Sequence, residues 1–192
     1  GSDLFTTDFR ETMGQFEQAK NFGSLIVPKL RDPAEVARVV RLKDFGGDLL
    51  LREVQERVLK VLEMAEALSP KYYVVVANPP YKLRSDLNGY LADFLDENYP
   101  LSKTDLFSSF IERCICLTIL TGYNGLVTME SWMFLASYEG LRKMLLSQHS
   151  ILGLTHMPYL GKGGTSMGIS FGTDAKIIQT FQSNNIPSTF SC

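Results

Sequence analysis

Cysteine, histidine and unbroken apolar sequence are all scarce in this chain, and each scarcity closes off a class of protein. Three cysteines in 192 residues are too few for a disulfide-stapled scaffold. Cys114 and Cys116 lie two apart in what reads as a helix, where their side chains point in different directions, and Cys192 is terminal. No disulfide framework is expected, a pattern that suits a reducing cytoplasm. His149 and His156 have no carboxylate or cysteine at ligand spacing, so neither a metal centre nor a nucleophilic triad is expected. No stretch reaches the roughly 20 apolar residues that span a bilayer, and the N-terminus lacks a charged-then-apolar signal pattern. Excess positive charge is missing too. With 19 basic and 21 acidic side chains the formal net charge is −2, unlike a module that grips nucleic acid through a broad basic face.

What is present is an ordinary globular composition, 45% hydrophobic, which can bury a core. Helical patterning runs from Asp8 to Lys20 and from Asp32-Pro33 to Arg41, with proline just inside the second start. Asn21 to Pro28 reads as a loop. Asp48 to Leu68 carries Leu51, Val54, Val58, Val61, Leu62, Ala65 and Leu68 at spacings of three and four, the signature of an amphipathic helix. Lys71 to Ala77 is a short β-branched and aromatic run without alternation, as expected of a parallel strand covered on both faces. Ser102 and Asp105 have capping-box spacing before an apolar helix from Leu106 to Leu120, with Gly122 as its expected C-cap. Strands are expected at Gly125 to Met129, Ser150 to His156 and Ala175 to Phe181, with a helix from Ser131 to Gln148. Strand alternating with helix predicts an α/β, doubly wound sheet. The organisation expected is a helical lead-in over 1–70, a motif-bearing α/β segment over 71–182 and a frayed tail over 183–192. Gly1-Ser2 reads as an appended dipeptide, and the chain as a piece of a longer protein.

One tetrapeptide carries chemistry. Asn78-Pro79-Pro80-Tyr81 follows the first strand directly, and ligands in open α/β sheets bind just beyond the carboxyl ends of strands. Proline fixes its own φ and pushes the preceding residue into extended geometry, so Pro79 and Pro80 hold Asn78 and the intervening carbonyls in one arrangement. The product is a rigid pair of acceptors, the Asn78 amide oxygen and the Pro79 carbonyl. Such a pair suits an amine whose lone pair is delocalised into a ring: accepting one N–H each draws the nitrogen toward tetrahedral geometry and turns its lone pair outward. Against this stands the plain reading of a strand followed by a Pro-Pro turn, with Tyr81 as a packing aromatic.

In these residues the chain resembles the amino-methyltransferases with an Asp/Asn-Pro-Pro-Tyr/Phe motif. Asp105-Leu106-Phe107, Phe110-Ile111-Glu112, the glycine turn at Gly122 and Ser131-Trp132 extend the likeness to the adenine-N6 DNA group. The composite, with Phe22-Gly23-Ser24-Leu25-Ile26, is most similar to the large single-chain enzymes of type IIG restriction-modification and BREX phage-defence systems. The resemblance implies a partial Rossmann-like methyltransferase fold, mostly parallel with a C-terminal antiparallel hairpin. It implies S-adenosylmethionine as cofactor, bordered by Asn78 and Pro79, and duplex DNA with a flipped adenine as substrate. Tyr81 would stack on that base, since a base inside a duplex is unreachable. Phe171, in the closing hairpin, would help to hold it, with Tyr159 as rival. Asp105 is a further substrate-binding candidate, weighed against a helix-capping carboxylate. Restriction or defence partner domains are expected in the longer protein.

The family's glycine-rich cofactor motif has no match upstream of Asn78, and Gly46-Gly47-Asp48 has the wrong context for it. The isolated piece is therefore expected to bind cofactor weakly and to lack activity. The run Gly161 to Gly168 lacks the spacing of a nucleotide-binding fingerprint and reads as a DNA-side loop. Two other assignments stay open: a protein-glutamine methyltransferase, which would orient a side-chain amide with the same motif, and a non-catalytic module serving as an assembly surface.

Overall fold

The computed structural model describes residues 6–157 and 176–183, with side chains through Thr155. The chain divides into two compact units, Gly1–Pro70 and Lys71–Cys192.

The first unit is helical. Helices α1 (Thr7–Glu17), α2 (Ala19–Phe22), α3 (Pro33–Arg41) and α4 (Leu49–Leu68) make it up, and three of them start where side-chain oxygens satisfy otherwise orphaned amides. Thr6 Oγ1 accepts from Phe9 N, Asp32 Oδ1 from Glu35 N, and Asp48 Oδ1 from Leu50 N and Leu51 N. Phe9, Leu30, Ala37 and Leu62 make one buried cluster, and Phe16, Ile26 and Ala65 another. The Asn21–Pro28 stretch is more ordered than the loop expected: it contains the end of α2 and a 3-10 turn, Gly23–Leu25, whose Leu25 is buried beside Ile26. Two side chains pin the segment between this turn and α3, because Gln15 Nε2 donates to Val27 O and Thr12 Oγ1 accepts from Leu30 N. On α4 the apolar stripe is buried only in its C-terminal part, and Leu51 and Val54 are exposed.

The second unit is α/β. Its strands are β1 (Tyr72–Ala77), β2 (Thr118–Met129), β3 (His149–Met157) and β4 (Lys176–Ser183), in the order β1-β2-β4-β3. β1 and β2 pair parallel, and β4 pairs antiparallel with both β2 and β3. Since β4 reverses against both neighbours, β1, β2 and β3 all run one way. The sheet is thus mixed: the β1–β2 pairing is parallel, and β4 joins β2 and β3 through two antiparallel pairings. Helices α5 (Gly89–Asn98), α6 (Leu106–Cys116) and α7 (Glu139–Gln148) complete the unit. Its core gathers Phe107, Ile111, Leu126, Trp132, Tyr138, Leu141 and Leu145, with Val75, Ala77 and Tyr81 packed against it.

Several expectations need correction. Helix α6 ends at Cys116, capped by Leu117, and Gly122 lies inside β2 instead of capping a helix. Tyr72 N donates to Leu117 O, drawing the chain into the sheet, and the register then slips between Tyr72↔Thr118 and Val74↔Tyr123. Gly122 is needed there for space: a Cβ would sit 2.5 Å from Thr118 Cγ2 and 2.9 Å from Tyr73 O. The capping box does not form, because Asp105 occupies the N-cap position of α6 and Ser102 Oγ donates to Glu112 Oε2 at 2.6 Å. β1 is not covered on both faces: Val75 and Ala77 pack inward, while Val74 and Val76 are 59% and 78% exposed. α5, capped by Asn88, has no counterpart among the sequence expectations, and α7 starts eight residues later than expected, after two 3-10 turns. Ser183, assigned to the tail, ends β4. Cys114 is free and buried. No described helix is long and apolar enough to cross a membrane.

Candidate active site

Asn78 leaves β1 at its C-terminal end, one residue past Ala77, which pairs with Leu126 of β2. Asn78 and Pro80 are exposed, Pro79 is buried and Tyr81 is half-buried. Asn78 is thus presented to solvent while the next residue anchors the turn.

The Tyr81 hydroxyl lies 2.9 Å from Asn78 Oδ1 and 3.2 Å from Val127 O, donating its one proton between these two acceptors. Burial pushes the phenol pKa above its ordinary value, so at neutral pH it remains a donor. A donor at Oδ1 orients the Asn78 amide, and it uses only one of the two lone pairs on that oxygen. The Tyr81 ring meets Phe107 edge-on at 6.4 Å between centroids. The motif is therefore held by its own last residue, which is tied to the neighbouring strand and to the core.

The chain beyond the motif is clamped as well. Leu83 and Asp105 form an antiparallel bridge, with Leu106 N donating to Lys82 O and Arg84 N to Thr104 O. Arg84 donates to Ala92 O and pairs with Asp96, which Lys103 also contacts at 3.0 Å. The hydrogen bond from Lys103, assisted by the Arg84 charge, holds the Asp96 carboxyl below the usual carboxylate range.

Asp105 is 1% exposed. Its Oδ2 accepts from the Tyr138 hydroxyl at 3.2 Å, and its backbone oxygen accepts from Ser108 Oγ. Burial, and then the neighbouring Asp105, push the Tyr138 phenol well above its usual range, so its hydroxyl remains a neutral donor. Although Asp105 occupies the N-cap position, no capping hydrogen bond to its side chain is formed. Tyr81, Phe107, Tyr138 and Asp105 thus form a continuous support under the motif, with Phe107 and Tyr138 rings 6.0 Å apart. The sequence points to Tyr81 and Asp105 by the motif and its sequel. Tyr138 and the carbonyl of Val127 carry no such signal, because a backbone acceptor is indifferent to residue type and Tyr138 is 57 residues past Tyr81. Phe171, Tyr159 and the Gly161–Gly168 run lie outside the described residues.

Asn78, followed by the buried Pro79, thus stands at the C-terminal end of a strand that pairs in parallel with its neighbour. The chain belongs to the Eco57I restriction-modification methylase family, whose profile matches residues 9–160. It is 37% identical over 166 residues to the adenine-specific methyltransferase BrxX of Escherichia coli O9:H4 (strain HS), and 31% identical over 165 residues to the adenine-specific methyltransferase PglX of Lacticaseibacillus casei (strain Zhang). Each alignment covers 82% of this chain and 14% of the relative, so the chain spans about one-seventh of the curated relatives it matches. A crystal structure from Listeria monocytogenes, assigned provisionally to the class I S-adenosylmethionine-dependent methyltransferases, aligns at TM-score 0.45 and 14% identity over 97% of this chain and 65% of its own.

Proposed function

We propose that this chain carries the amine-orienting part of an S-adenosylmethionine-dependent DNA adenine-N6 methyltransferase of a restriction or phage-defence system. The observation that carries the reading is the presentation of Asn78: exposed at the end of β1, its amide oxygen already oriented by Tyr81 and left with one acceptor lone pair. In this reading Asn78 Oδ1 and Pro79 O each accept one N–H of the adenine amine, and the nitrogen lone pair turns toward the methyl donor. No general base is required for that step, which fits a motif without a titratable group of ordinary pKa.

When bound, S-adenosylmethionine supplies an electrophilic methyl group. Among the described residues none forms a glycine-rich strand-to-helix turn that would cradle such a molecule. Asn78 and Pro79 would border it on the acceptor side only, and no step here is routed through it. The expectation that this piece binds cofactor weakly and is inactive alone rests on the same consideration.

The substrate is proposed to be duplex DNA with the target adenine flipped out. Tyr81 stacks on that base, its ring steadied by Phe107 and its hydroxyl by two acceptors. Phe171, with Tyr159 as the alternative, is proposed to help hold the base. Asp105 acts from behind, fixing Tyr138 and the 82–84 segment, since its burial keeps it from the base. The proposed compartment is the cytoplasm, where the DNA of bacterial relatives resides.

The test is Asn78→Ala in the full-length protein, assayed by methyl transfer to unmethylated plasmid DNA. A fall of at least about 100-fold, the scale of removing an oriented transition-state acceptor or donor, is expected with an unchanged circular dichroism spectrum. Retained transfer would remove the mechanism.

A further inference from the structure

Tyr81 has two chemically separable parts, an aromatic ring and a hydroxyl that reaches both Asn78 and the neighbouring strand. The hydroxyl stands 2.9 Å from Asn78 Oδ1 and 3.2 Å from Val127 O.

The register of the sheet shows why a side chain meets the Val127 carbonyl. β1 and β2 pair in parallel, with Ala77 opposite Leu126. Carried one residue further, that register sets Asn78 opposite Val127, and in a parallel ladder Val127 O would then accept from the N–H of residue 79. Residue 79 is proline and has no N–H. The ladder stops at the motif, and the Tyr81 hydroxyl supplies the donor that Pro79 lacks. Its position is fixed from two sides: by β2 through Val127, and by the Tyr81 ring, which rests edge-on against the buried Phe107.

The Asn78 side chain is exposed, and its amide has an acceptor end and a donor end of nearly the same shape. A half-turn about the last side-chain bond exchanges them. Only the oxygen can accept an N–H from an incoming amine, and the turned amide would set donor against donor. A carboxylate at the same position would have no such ambiguity, since both of its oxygens accept.

We propose that the Tyr81 hydroxyl is a positioning group for methyl transfer, selecting the amide orientation of Asn78 that presents oxygen to the amine. The proposal rests on the reading of this site as an adenine methyltransferase. It gives the two parts of Tyr81 different work: the ring acts on the base, and the hydroxyl acts through Asn78. It also gives Pro79 a second use, because the missing N–H leaves Val127 O to the hydroxyl.

The experiment compares four full-length proteins, the unsubstituted chain, Tyr81→Phe, Asn78→Asp and the double variant, in methyl transfer to unmethylated plasmid DNA. Tyr81→Phe is expected to lower kcat roughly five- to ten-fold, the scale of one neutral hydrogen bond, with KM for DNA unchanged because the ring stays. In the Asn78→Asp background the same change should shrink to less than about two-fold, because no amide end has to be chosen. Melting temperatures supply the contrast, since loss of the contact with Val127 should lower them equally in both backgrounds. Equal kcat losses in the two backgrounds would reduce the hydroxyl to a structural tie and overturn the proposal. So would an unchanged kcat for Tyr81→Phe, or an inactive Asn78→Asp protein, in which an acceptor at this position would not suffice. Transfer by Asn78→Ala sinks the proposed function itself. Full-rate transfer by Tyr81→Phe, with Asn78→Ala inactive, sinks this inference alone.

Discussion

β1 and β2 are parallel neighbours with opposite relations between composition and burial. β1 is apolar along its whole length, yet Val74 and Val76 stand in solvent, as does Tyr73 at 78% exposure. β2 mixes polar and apolar residues, yet Asn124, Leu126 and Thr128 are all 2% exposed or less. From Gly122 to Met129 it alternates between buried and more exposed positions, the period of a strand with one covered face. The difference teaches that an apolar run states what a strand can bury, while its place in the sheet decides what it does bury. β2 lies between β1 and β4 with α6 against it, and among the described residues β1 pairs with β2 alone. The exposed apolar side of β1 ends at Asn78, so the candidate site is built on the less buried of the two strands.

The comparison can be broken most forcefully with paired truncations. Leu126→Ala should destabilise the protein by about 2–5 kcal/mol, as large-to-small changes at fully buried positions do, whereas Val76→Ala should stay within about 0.5 kcal/mol. Chemical denaturation of both variants would show it, and equal losses would mean that β1 is covered. Next in size, Gly122→Ala should cost about 1–3 kcal/mol, because its Cβ would press on the Tyr73 carbonyl across the β1–β2 pairing. A neutral outcome in the same denaturation assay would show that the irregularity in β2 yields freely.

The smallest effect concerns pH. Burial pushes the Glu112 carboxyl above its ordinary pKa, only partly countered by the hydrogen bond from Ser102. A raised carboxylate pKa means that the folded state binds the proton more tightly, so ionised Glu112 weakens the fold at neutral pH. Glu112→Gln, which keeps an acceptor for Ser102, should therefore raise the melting temperature slightly at pH 7. That advantage should shrink as pH falls through the raised pKa toward the ordinary carboxylate value. A gap that widens with falling pH would reverse the assignment.

Much of the local architecture was legible in residue order. Asp32-Pro33 and Asp48 announce helix starts because capping is a contact between near neighbours. The β-branched run from Tyr72 announces a strand. Gly122 misled because glycine serves equally to end a helix and to admit a close neighbour, and only the position of Tyr73 O distinguishes these uses. Asp105 looked like a cap for a similar reason. It stands at the helix start, but a tyrosine 33 residues away takes its side-chain oxygen.

The sequence by itself determined that Asn78 and a carbonyl would be held rigidly at a strand end, because proline geometry is a property of adjacent residues. It also determined the alternation of helix and strand and, through 37% identity to an adenine-specific methyltransferase, the family. The tertiary structure alone decided that the Tyr81 hydroxyl would meet Asn78 and Val127, and that Asp105 would face Tyr138. Those facts depend on which strand lies beside which, and strand order is a long-range outcome of packing that no local pattern encodes.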